Sequence, residues 1–176
     1  MRIKSLLVFV TTLDGKVTKW GDPHVFRWSS KEDQTYFKNL WDNAKLIIMG
    51  SGTFNFDPVK PSSDRLLIIM TREPEKYEKY VVPGQLEFTN ESPAVLHARF
   101  EKAGYENMMV VGGPHIANAF LRAHLIDELS LSLEPKIFAS GGNFVVDEEL
   151  DIHLRLIGSE KVNEQGTLIL RYEVVK

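Results

Sequence analysis

Between Asn107 and His124 an apolar, β-type run stops at two glycines and a helical stretch starts at once. Asn107–Val111 reads as a strand, Gly112-Gly113 as a turn and Pro114–His124 as a helix. A strand that feeds straight into a helix is the repeating half of an α/β layer fold. Paired glycines let backbone approach a ligand where any Cβ would clash. Pro114 suits the first helical position, where its missing N–H costs nothing. The free N–H groups there, together with the helix dipole, favour an anion. The segment taken alone reads equally well as a tight turn that holds no ligand.

The rest of the chain continues the alternation. Ile3–Thr12 is a strand rich in Leu, Val and Phe, followed by a turn at Leu13-Asp14-Gly15-Lys16. Ser29 or Ser30 opens a helix with Glu32 and Asp33 in its first turn, and Tyr36, Phe37, Leu40 and Trp41 recur on it at helical spacing. Lys45–Met49 is a compact apolar strand ending in Gly50-Ser51-Gly52-Thr53, and Phe54–Ser63 reads as a loop. Arg65–Met70 is a further strand, ending in Thr71-Arg72. Pro74–Gly84 reads as a short helix or a loop, and Leu86–Thr89 as a short strand. Ser92 caps a helix that stops at Gly104. Leu129–Leu133 alternates apolar residues with Ser130 and Ser132. Leu154–Val162 and Thr167–Val175 form a closing hairpin. Strands alternating with helices, then a hairpin, predict an α/β fold: a mostly parallel mixed sheet flanked by helices, with an antiparallel C-terminal hairpin.

Composition sets bounds on what this fold can do. A length of 176 residues with 43% apolar residues fits one domain over residues 1–176. The net charge of -3, with no basic block, gives no footprint for nucleic acid. With no cysteine, disulfides, thiolate nucleophiles and Cys-based metal centres are excluded, and the five histidines show no metal-ligand spacing. The apolar run Ser5–Val10 is too short to span a membrane, and no signal-peptide cleavage pattern follows it. A soluble cytoplasmic protein is expected.

Three turns then stand out, because each ends a strand: Gly50-Ser51-Gly52-Thr53, Thr71-Arg72 and Gly112-Gly113. In an open α/β sheet, ligands sit outside the carboxyl ends of the strands. Backbone N–H groups, hydroxyls and one guanidinium at such an edge suit an anionic cofactor. Arg72 matches a terminal phosphate through its planar fork, and its plainer reading is a solvated strand-end charge. No G-x-G-x-x-G, P-loop, H-E-x-x-H or G-x-S-x-G pattern is present. Asp14, Asp33 and Glu134 are candidate acids. Each also reads as a turn, cap or surface charge, Asp33 as a first-turn acid favoured by the helix dipole.

The order Thr12-Leu13-Asp14-Gly15-Lys16, Met49-Gly50-Ser51-Gly52-Thr53, Val111-Gly112-Gly113-Pro114, Leu125-Ile126-Asp127-Glu128-Leu129 and Glu134-Pro135-Lys136-Ile137-Phe138 resembles the dihydrofolate reductase-like superfamily. Within it, the chain looks most like the riboflavin-biosynthesis branch, the C-terminal reductase domain of the bifunctional deaminase-reductase. The resemblance implies NADPH as cofactor. Gly50 and Thr53 would face its ribose-phosphate region, Thr71 and Arg72 its 2′-phosphate. Gly112, Gly113, Pro114, His115 and Ile116 would face the pyrophosphate and nicotinamide, with a cis Gly112-Gly113 peptide. It also implies that Thr12, Asp14, Lys16 and Glu134 face a ribosylaminopyrimidine whose ribose is reduced to a ribityl chain. No zinc deaminase signature is present, so only the reductive step is expected.

Trp28, Asp33 and Phe37 also match the spacing of true dihydrofolate reductases, in which the carboxylate grips the pteridine. The Leu-Pro usual between that Trp and the acid is absent, and Trp41 stands where Thr is expected. Val111 stands where the riboflavin branch commonly has Glu. The expected substrate is therefore a small pyrimidine or, alternatively, a pterin. A non-catalytic binding module on the same scaffold is the third reading. By the same resemblance a homodimer is expected, with the apolar strand Thr167–Val175 as the edge it would bury.

Overall fold

The computed structural model describes residues 2–176. Its strands are β1 (Lys4–Thr12), β2 (Leu46–Gly50), β3 (Leu66–Met70), β4 (Leu86–Thr89), β5 (Asn107–Val110), β6 (Glu128–Glu134), β7 (Leu154–Lys161) and β8 (Leu168–Val174). Its α-helices are α1 (Lys31–Asn43), α2 (Ser51–Phe56), α3 (Pro93–Lys102) and α4 (Pro114–Arg122). The strands lie in one eight-stranded sheet in the order β4-β3-β2-β5-β1-β6-β8-β7. β3 and β4, β2 and β3, β2 and β5, and β1 and β5 pair in parallel, while β8 pairs antiparallel with β6 and with β7. The mostly parallel sheet with an antiparallel closing hairpin, expected from the alternation of patterns, is present. The chain forms two compact units, one of residues up to Leu7 with Ala44–Ile126, the other of Val8–Asn43 with Asp127–Lys176.

In the first unit the parallel strands are nearly continuous apolar runs, as strands buried on both faces must be. Leu46, Ile47, Ile48, Ile68, Ile69 and Val110 are fully buried. Each such side chain contributes roughly 1.5–3 kcal/mol when taken out of water. Ser92 caps α3 by accepting the Val95 N–H, and Gly104 after it has φ +85°. The segment after Gly50 departs from the sequence reading: Ser51–Phe56 is helical, whereas a turn and loop are expected from its glycine and serine. Phe54 explains the difference. It is buried, edge-on to the rings of Tyr77, Tyr80 and Phe88, so aromatic packing outweighs a weak helix propensity. Pro74–Tyr80, which supplies two of those rings, is a 3-10 helix.

In the second unit two faces run against the simple pattern. Helix α1 carries Tyr36, Phe37, Leu40 and Trp41 only half-buried, and its one buried residue is Asp33. On β6 the buried alternating face is Ser130, Ser132 and Glu134, while Leu131 and Leu133 on the other face are half-buried. Polar residues can point inward here because each finds a polar partner on or beside α1, as described below. β8 is paired on both sides, so Thr167–Val175 is not an edge; the exposed edge strand of this unit is β7.

Candidate active site

The first unit gathers the three glycine-bearing or basic turns. Gly50 pairs in register with Met70 of β3, and Ile48 with Val110 of β5. The carboxyl ends of three neighbouring parallel strands therefore present Gly50-Ser51-Gly52-Thr53, Thr71-Arg72 and Gly112-Gly113 side by side. The Gly50 N–H donates to the Gly112 carbonyl at 2.8 Å, and the Val111 N–H to the Ile48 carbonyl at 3.0 Å. A Cβ on Gly50 would lie 2.9 Å from Ile116 Cγ1 and 3.7 Å from the Gly113 nitrogen. Gly112 has φ +110°, a conformation that favours glycine, and the Gly112-Gly113 peptide is cis, as the resemblance implies. Gly113 is the N-cap of α4 and Pro114 its first residue, with His115 exposed and Ile116 half-buried behind them. A Cβ built on Gly113 would touch Thr53 Oγ1 at 3.6 Å. Thr71 is half-buried, and Arg72 is exposed, with no ion pair among the described residues. A narrow backbone cradle, one hydroxyl and one free guanidinium are the donor set that a dinucleotide phosphate needs, so these residues fit NADPH.

The second unit holds the candidate substrate residues in two groups. At the end of β1, the Thr12 hydroxyl donates to Asp14 Oδ1 at 2.6 Å and accepts the Lys16 N–H at 2.9 Å. Asp14 also accepts the Phe138 N–H at 3.2 Å and the Ala139 N–H at 2.7 Å. These bonds, led by that from Thr12, hold its carboxyl below the usual range. Asp14 thus ties the segment after β6 to the turn after β1, with both its oxygens engaged. Lys16 Nζ donates to Asn143 Oδ1 at 2.7 Å.

The other group is a polar seam between α1 and β6. The Tyr36 and Ser130 hydroxyls lie 2.7 Å apart. Asp33 accepts hydrogen bonds from Ser132 and Ser29. Glu134 Oε1 accepts the Ser30 N–H at 2.7 Å, and its Oε2 accepts the Thr167 hydroxyl at 2.8 Å. Burial raises the proton affinity of Asp33, and the neighbouring charge of Glu134 raises it further; the two serine hydrogen bonds act in the opposite direction. Trp28 lies beside the seam, edge-on to Phe138, with its carbonyl accepting from Lys136 Nζ. Its indole N–H is buried without a partner among the described residues.

The structure thus brings Gly50, Thr53, Gly112, Gly113 and Ile116 together in one unit, Thr12 and Asp14 in one group of the other, and Asp33 with Glu134 in the second group. Sequence reasoning missed Ser29, Ser132, Thr167 and Asn163 around the carboxyl pair. Only the serine alternation on β6 hinted at them, and alternation does not say which face turns inward.

Comparison with known proteins agrees with this architecture. The chain is similar to a pyrimidine reductase-like protein from Corynebacterium diphtheriae, at 14% identity, a TM-score of 0.80, and coverage of 99% of this chain and 92% of that one. It is also similar to a Thermotoga maritima diaminohydroxyphosphoribosylaminopyrimidine deaminase/5-amino-6-(5-phosphoribosylamino)uracil reductase, at 16% identity and a TM-score of 0.76. That match covers 99% of this chain and 57% of the longer relative. Dihydrofolate reductase from Enterococcus faecalis, in complex with NADP(H), aligns at 19% identity and a TM-score of 0.71 over 98% of this chain and 97% of its own. These likenesses establish a dihydrofolate reductase-like fold. Residues 4–168, nearly the whole chain, match the RibD C-terminal domain, and the protein belongs to that family.

Proposed function

We propose that the protein is an NADPH-dependent reductase of a ribosylaminopyrimidine of the 5-amino-6-(5-phosphoribosylamino)uracil type. The observation that carries this reading is the alignment of the Gly50, Thr71-Arg72 and Gly112-Gly113 turns on neighbouring parallel strands. Membership of the RibD C-terminal family supports the reaction class, and the reductase named for the Thermotoga relative supports the substrate class. NADP(H) on the Enterococcus relative supports the cofactor.

In this reading Gly50 and Thr53 hold the ribose-phosphate part of the cofactor. Thr71 and Arg72 hold its 2′-phosphate. Gly112, Gly113, Pro114, His115 and Ile116 hold the pyrophosphate and nicotinamide end. When bound, the nicotinamide supplies a hydride. The chain itself binds, orients and manages protons. Thr12 and Lys16 orient the substrate. Asp14 keeps the segment at Phe138–Ala139 in place beside them. Asp33, whose proton affinity burial raises, is the candidate proton donor. A second reading, reduction of a pterin, is favoured by the buried Asp33 and the unpartnered Trp28 N–H, which leave one acid and one donor for a fused ring. The active form in either reading is a homodimer acting in the cytoplasm.

Nicotinamide fluorescence titration with NADPH and NADH, on wild type and Arg72→Ala, tests the proposal. Loss of one charge-assisted phosphate contact is expected to weaken NADPH binding by about 1.5–3 kcal/mol, roughly tenfold to a hundredfold, and to leave NADH untouched. Failure of the wild type to bind NADPH would remove the reductase reading and leave the non-catalytic module.

A further inference from the structure

Both oxygens of Glu134 are engaged within the protein. Its Oε1 accepts the Ser30 N–H, its Oε2 accepts the Thr167 hydroxyl, and it is 2% exposed. Both of these bonds are donated to Glu134: a backbone N–H can only donate, and the Thr167 hydroxyl, which accepts from Asn163 Nδ2 at 2.9 Å, gives its proton to Oε2. Two donated bonds favour a carboxylate over a neutral acid.

The partners of Glu134 return to the turn of α1 that bears Asp33. Ser30, whose N–H is held by Glu134, accepts the Asp33 N–H on its own Oγ at 3.2 Å. Asn163 donates a second bond, at 3.2 Å, to Glu32 Oε2 beside Asp33. Ser30, Glu134, Thr167, Asn163 and Glu32 thus form a chain of bonds that starts and ends on the first turn of α1. It passes through β6 and the β7–β8 turn. On its own helix Lys31 and Glu32 precede Asp33, and from β6 the group that faces it is Glu134. Glu134 is the charge that bears on its carboxyl.

We propose that Glu134 is a positioning residue acting through Asp33: bonded by Ser30 and Thr167, it fixes the first turn of α1 and sets a negative charge beside the Asp33 carboxyl. The inference rests on the reading of Asp33 as the acid that faces the substrate. A buried carboxyl next to a fixed anion retains its proton, because two like charges in a dry site oppose each other. The closing hairpin thereby becomes part of the proton-handling apparatus, although it carries no acid that meets the substrate.

The test is a carbon-13 NMR titration of the Asp33 carboxyl in the full chain, which needs no substrate. In Glu134→Gln the Asp33 midpoint is expected to move to lower pH. In Glu134→Asp, which keeps the charge and shortens the reach to Ser30, it is expected to stay nearer the wild type. Thr167→Val, nearly isosteric, removes the hydroxyl that donates to Glu134 and is expected to lower the midpoint, with Thr167→Ser restoring it. This second pair serves if Glu134→Gln fails to fold. With a pterin as substrate, the pH at which kcat/KM changes is expected to follow the midpoint in each variant. A midpoint that stays put in both Glu134→Gln and Thr167→Val overturns the proposal. A midpoint that moves while the wild type reduces neither pyrimidine nor pterin sinks the substrate reading and leaves the coupling of Glu134 to Asp33 standing.

Discussion

Asp33 carries the sharpest single-residue consequence. It is 5% exposed, and burial raises its pKa above the ordinary Asp value. The unfolded chain therefore ionises this group first. As pH rises from the usual carboxylate range through the raised native value, Asp33 removes stability; below that range it costs nothing. Asparagine does not titrate, so Asp33→Asn is expected to gain stability relative to wild type at neutral pH and to lose that advantage in acid. Thermal unfolding of both proteins at about pH 3 and pH 7 checks the sign. The same variant separates the two substrate readings. It is expected to abolish reduction of a pterin and to affect a ribosylaminopyrimidine only modestly, measured as kcat/KM with each. At this scale the sequence identified Asp33 by its place in a helical first turn and by the Trp28–Asp33–Phe37 spacing. Its burial was not legible there, because the residues that enclose it, Ser132 and Glu134, lie about a hundred positions away on β6.

Among the elements, the α1–β6 seam is the one whose logic departs from the usual rule. A helix normally meets a strand through apolar side chains, but here Tyr36 faces Ser130, Asp33 faces Ser132 and the Ser30 N–H faces Glu134. A polar contact of this kind is stabilising only while every member is satisfied. Tyr36→Phe would leave the Ser130 hydroxyl, 2% exposed, without its partner. The expected cost is about 1–3 kcal/mol, and adding Ser130→Ala is expected to restore part of it. Urea unfolding of the two single variants and the double variant measures the coupling. The half-buried stripe of Phe37, Leu40 and Trp41 follows from the same arrangement: the seam, not the apolar stripe, sits deepest in the unit. Alternation on β6 was evident from the sequence, but the period of two says only that the faces differ. In the first unit no such ambiguity arose, since β2 and β3 are apolar on both faces and can only be interior.

At the scale of the whole molecule, β7 ends the sheet, with no strand beyond it among the described residues. None of its residues is buried, and Leu154, Leu156 and Ile157 are 41%, 52% and 40% exposed. A long edge bearing apolar side chains is a template for another strand. The strand is irregular between Leu156 and Gly158, and its Arg155 pairs with Glu173 on the neighbouring strand. A homodimer of this chain is expected to join at β7. Wild type should elute as a dimer in gel filtration with light scattering at micromolar concentration, and Leu156→Lys as a monomer. A monomeric wild type, or a dimer unaffected by Leu156→Lys, would count against this edge. The sequence reading placed the edge one strand too late, at Thr167–Val175, because that strand is the more apolar of the hairpin. The greater apolarity reflects interior position: β8 is paired on both sides.

Taken by itself, the sequence determined the strands, helices α1, α3 and α4, the strand ends at Gly50, Arg72 and Gly112, and the antiparallel close. All of these are local properties of apolar period, glycine and capping, readable within a dozen residues. Only the tertiary structure decided that those turns stand side by side, that Ser130, Ser132 and Glu134 face inward, and that Glu134 meets Ser30 and Thr167. Those outcomes depend on strand order and register, which are settled by pairing between segments far apart in the chain, where no local pattern reaches.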